Sequence, residues 1–69
     1  MNQFTVLHKK ENDAIVLLPV SDLELHDYLM SGYNVEAEGT KDFCVRWIDE
    51  FWAENEIEED RRIFLNKRA

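Results

Sequence analysis

Three side chains in this chain could ligate a soft metal or build a nucleophile: His8, His26 and Cys44. Zinc sites draw such residues from close pairs, C-x-x-C or H-x₃-H, because two ligands from one turn fix half of the tetrahedron. No such spacing links these three. A Cys–His nucleophile needs an accessible thiolate. Cys44 falls instead at the centre of an apolar helical stripe, where it would stay protonated and shielded from substrate. His26 sits between Leu29 and Met30 on its helical wheel, the setting of a half-buried structural histidine. Carboxylates are plentiful, but acids along a helix are ordinarily a solvated face. The two glycines flank no phosphate-cradling loop. The expectation is a protein with no catalytic residue, no metal and no cofactor, hence not an enzyme.

The functional reading then rests on residues 43–60, FCVRWIDEFWAENEIEED. This stretch holds both tryptophans, the lone cysteine and a run of acids: Asp49, Glu50, Glu54, Glu56, Glu58, Glu59 and Asp60. At 100° per residue, Phe43, Cys44, Val45, Trp47, Ile48, Phe51 and Trp52 share an arc of roughly 200°, with the acids elsewhere. Trp47 lies inside that arc and reads as core. Trp52 lies at its edge beside Val45 and reads as a half-exposed interface anchor. Val45, Asp49, Glu50, Trp52, Glu54, Glu56, Glu58 and Glu59 are the candidate contact, an apolar anchor with an acidic rim.

Charge narrows the partner. Lys and Arg number 8 against 15 acids, a net charge of −7, which excludes direct binding to nucleic-acid phosphates. The longest apolar run, Ala14 to Val20, is far short of the ~20 residues of a membrane span. One cysteine and no recognisable leader in MNQFTVLHKK point to a reducing, cytoplasmic setting. The partner expected is another protein with a basic patch.

The elements that must position these residues are read from pattern. Alternation over 3–9 and apolarity on both faces over 14–20 predict two strands joined by the polar turn Lys10–Asp13. Pro19 marks a strand end or edge. Ser21-Asp22-Leu23-Glu24 has the form of a capping box, opening a helix over 22–31 that Gly32 closes. Tyr33, Val35 and Ala37 alternate with polar residues in a strand over 33–38. Thr40 caps a helix over 41–54. Ile57 and Phe64 fall out of phase with that helix, so a break near Asn55 precedes a second helix over 56–66. Glu58–Arg62, Glu58–Arg61 and Glu59–Arg62 would be its internal ion pairs. A strand over Arg61–Leu65 is the rival reading of this segment.

The order β-β-α-β-α-α describes a single α+β domain, residues 1–69: a small two-layer fold with a three-stranded sheet, order 2-1-3, and the helices packed on one face. A chain this short buries roughly 60% of its unfolded surface and gains about 3–5 kcal/mol from its core. The second strand would then be an apolar edge, to be covered by the last helix or by a second copy. The reading is a small acidic, non-enzymatic protein-binding modulator. By analogy of size and charge alone, phage- or plasmid-encoded inhibitors of host proteins belong to this kind. The alternatives are a structural homodimer and a DNA-mimic protein that binds a DNA-binding partner.

Overall fold

The computed structural model describes residues 3–66. Its elements are β1 (Phe4–Lys9), β2 (Ala14–Pro19), α1 (Leu25–Met30), β3 (Tyr33–Gly39), α2 (Lys41–Glu54), a single 3₁₀ turn (Glu59–Arg61) and β4 (Phe64–Asn66). The sheet has four strands in the order β3-β1-β2-β4. β1 is antiparallel to β2 and β3, and β4 joins β2 in parallel, so the sheet is mixed. The fold is α+β, with one strand more and one helix fewer than expected. Lys67 and Arg68, the last of the C-terminal bases, lie outside the described residues, as does the start of the N-terminus, Met1 and Asn2.

The helix expected over 56–66 does not form. α2 ends in a Schellman motif: Ile57 N–H donates to Trp52 O and Glu56 N–H to Ala53 O. Glu56 takes the left-handed position that glycine usually fills, at φ 52°. Ile57 packs back against the cluster that contains Trp52, the apolar contact that accompanies such a cap. The chain then leaves the helix axis and reaches β2, where Phe64 pairs with Ile15 and Leu65 with Val16. The expected pairs Glu58–Arg62, Glu58–Arg61 and Glu59–Arg62 are therefore not made. Arg62 lies over the Trp52 ring instead, 4.7 Å from its centroid, and donates from Nε to Ile57 O.

β4 also changes where the helices sit. β2→β3 and β3→β4 are both parallel crossovers, and they run in opposite directions across the sheet. Two crossovers of the same hand that do so must lie on opposite faces. Hence α2 covers Val6, Ile15 and Leu17 with Cys44, Ile48 and Trp52. α1 covers Leu7, Val16 and Leu18 on the other face through Leu25 and Tyr28, with Tyr33 beside them. The single-face arrangement is corrected: without a fourth strand there was no second crossover to place.

Local chemistry accounts for smaller departures. Asp22 accepts from Glu24 N–H at 2.8 Å, a side-chain turn that competes with capping, so Ser21 caps nothing and α1 starts only at Leu25. His26 is exposed on this short helix, not half-buried. A bulge shifts the register between Val6 and Leu7, so Val6 faces Ala37 but Leu7 faces Val35. Ala37 thus joins the α2 side, while Tyr33 joins the α1 side. Thr40 accepts from Phe43 N–H at 3.2 Å and caps α2, and Gly32 closes α1 at φ 98°.

Candidate protein-binding surface

Trp52 is core. It is 9% exposed, packs edge-on against Phe64 at 5.4 Å between ring centroids, and carries the Arg62 guanidinium on its ring. Its Nε1–H has no hydrogen-bond partner. The expected surface anchor is therefore buried, because β4 supplies the cover that a helix over 56–66 would not. Trp47 shows the converse. It was expected inside the core, yet it is only half-buried and lies in near-parallel contact with Phe51, 5.4 Å apart at 10°.

The remaining candidate residues are exposed but do not form one rim. Val45, 40% exposed, sits in a shallow hollow with Lys41, Asp42, Arg46 and Asp49, where two bases face two acids. Glu50 and Glu54 project from another side of α2. With Asn55 they edge a hollow whose apolar lining is Trp47 and Phe51. Glu56 lines a third hollow with Asn12, Asp13, Asn55, Ile57 and Arg61, between the β1–β2 turn and the end of α2. Glu58 and Glu59 are exposed at the 3₁₀ turn. Lys41, Arg46 and Arg61 thus interrupt the acids, which form no regular array.

The second and third hollows share Asn55 and are also joined through His8. The His8 ring meets Phe51 edge-on at 4.9 Å, while Nε2 lies 2.9 Å from Asp13 Oδ1 and Nδ1 lies 3.9 Å from Glu36 Oε2. A row of rings, Trp47–Phe51–His8, therefore runs along one side of α2, with Glu50 and Glu54 near one end and Asp13 and Glu36 at the other. Sequence reasoning placed Trp47 and Phe51 on the core side and did not connect His8, Asp13 or Glu36 to the site. The available signal was that Trp47 and Phe51, like Glu50 and Glu54, are four residues apart and adjacent on the same side of the wheel.

Ionic contacts are sparse. Two ion-pair contacts between described residues stand out, and both belong to His8. Cationic groups do lie over rings: Lys9 over Tyr33, Lys41 over Phe4 and Arg62 over Trp52. None lies over Trp47 or Phe51 among the described residues.

The reactive candidates are kept apart. Cys44 is fully buried near the first turn of α2, its thiol 3.5 Å from Phe4 O, and burial pushes its pKa up. His8 meets Phe51, seven residues further along the helix, about 10 Å at 1.5 Å per residue. Among the described residues no group of three or more His, Cys, Asp or Glu is placed to hold a metal ion. No helix among them is long and apolar enough to cross a membrane. Comparison with protein families, curated proteins and solved structures returns no match to this chain.

Proposed function

We propose that this chain is a non-enzymatic protein-binding modulator, acting in a reducing compartment, that docks on a basic surface of another protein. The observation that carries the reading is that Glu50 and Glu54 stand exposed beside the Trp47–Phe51 hollow with no ionic partner among the described residues, in a chain of net charge −7. Acids left without close cations retain most of their field for a partner, and complementary charge speeds encounter and selects the docking orientation. The contact is the side of α2 that carries Glu50 and Glu54, continued through Glu56 and Asp13. Trp52 supports it from within.

The dispersal of the acids among Lys41, Arg46 and Arg61 speaks against mimicry of a phosphate array. A homodimer is the second reading, favoured by one observation: Leu29, Met30, Val35 and Leu65 are exposed on the α1 side of the molecule. Mass in solution over a range of concentrations separates it from a monomeric binder.

The test is affinity capture from nuclease-treated lysate with a salt-gradient elution, comparing wild type with Glu50→Lys/Glu54→Lys. A protein that elutes at moderate salt and is lost by the charge-reversed variant supports the reading. Equal retention by both sinks it.

A further inference from the structure

Resting on the protein-binding reading, we propose that the hollow at Trp47 and Phe51 is the seat of an arginine side chain from the partner. The hollow measures about 190 Å³. Small-molecule sites start near ~300 Å³, so this one suits a single side chain. Its lining is two near-parallel rings, and its rim is Glu50 and Glu54, one helical turn apart. An aromatic face attracts a cation through the ring quadrupole, and arginine is the cation that also stacks as a plane. Carboxylates four residues apart on a helix stand ~5–6 Å from each other at Cβ, within the span of a guanidinium fork whose five N–H groups point outward in one plane.

The fold itself uses this chemistry elsewhere. Arg62 lies 4.7 Å from the centre of the Trp52 ring, while Trp47 and Phe51 have no cation of their own among the described residues. Glu50 and Glu54 likewise have no hydrogen-bond or ionic partner among the described residues. Both halves of an arginine site, the ring surface and the acceptors, are thus present and unfilled. Lysine would satisfy the charge but not the plane or the fork.

The experiment uses three otherwise identical Gly/Ser peptides carrying arginine, lysine or citrulline, titrated into the ¹⁵N-labelled full chain at low salt. The two indole N–H signals report separately, the buried Trp52 serving as an internal reference. The expected result is a shift of the Trp47 indole with Trp52 unmoved. The arginine peptide should bind at least threefold tighter than lysine, and citrulline should not bind. Trp47→Leu, and separately Glu50→Gln/Glu54→Gln, should each weaken the arginine peptide by roughly two- to fivefold, in keeping with ~0.5–1 kcal/mol for an exposed cation–ring contact and a similar amount for exposed ion pairs. The double Glu→Gln variant changes only exposed positions, so it answers the question if Trp47→Leu fails to fold. Equal arginine and lysine affinity, insensitive to Trp47→Leu, would overturn the arginine seat and leave docking on basic surfaces intact. No binding by either cationic peptide would overturn both.

Discussion

Replacing Trp52 by alanine should unfold the protein, and the size of the effect follows from what surrounds the ring. A buried tryptophan cut to alanine costs about 3–5 kcal/mol in lost transfer energy and residual cavity. The edge-on contact with Phe64 and the Arg62 guanidinium on the ring disappear with it, together worth about 1–2 kcal/mol. One term opposes. The unpartnered Nε1–H is a standing penalty of about 1–3 kcal/mol in the wild type, and alanine removes it. The net loss is about 3 kcal/mol in a domain whose core gives about 3–5. With a urea slope of ~1 kcal/mol per molar, the midpoint should fall by about 3 M, leaving little folded baseline. Trp52→Phe keeps a ring and discards the orphaned donor, so it should lose less than half as much. Circular dichroism across a urea series reads both. If Trp52→Ala shifts the midpoint by less than about 1 M, β4 does not cover this ring in solution and the surface-anchor reading returns.

Two further outcomes follow from the packing. Burial raises the pKa of the Cys44 thiol and the Tyr28 hydroxyl above their ordinary values of 9.0 and 10.0. Between the unfolded and folded values the unfolded chain has shed protons the native state keeps, so stability falls as pH rises. Urea midpoints should be steady up to about pH 8 and drop beyond it. Cys44→Ala should delay the onset; an unchanged onset removes the thiol from the argument. Glu56→Gly relieves a left-handed glutamate, a strain of about 1 kcal/mol, and should raise the midpoint; a lower midpoint would show that the side chain, not the backbone, decides that position.

What could be read from the sequence was what local chemistry decides. Thr40 caps the nearest free N–H groups whatever lies beyond them, and Gly32 takes positive φ because no Cβ opposes it. β2, apolar at every position, announced that both of its faces would be covered. β4 was legible only as the rival reading, a strand over Arg61–Leu65, because three residues are too few to establish a period and their pairing is with a strand about fifty residues earlier. Without β4 the wheel of α2 was interpreted against the wrong surroundings, so Trp52 was sent outward and Trp47 inward. The bulge between Val6 and Leu7 was equally silent, since alternation along one strand carries no information about a slip against its neighbour. At the candidate site, the identity of the acids was legible. Their division among three hollows was not, because Asp13 and Glu56 meet only once the β1–β2 turn and the end of α2 come together.

The placement of β4 has a consequence for synthesis. β4 is translated about fifty residues after β2, the strand it pairs with. Until Phe64 arrives, β2 keeps an open apolar edge and Trp52 lacks its edge-on ring contact, so apolar surface stays open of the kind that chaperones engage. A product cut short before Ile63 would also lose the hydrogen bond from Ile15 N–H to Ile63 O that anchors the returning segment. Closure of the sheet thus waits on the translation of β4, and any copy that stops short of it leaves the edge of β2 unpaired.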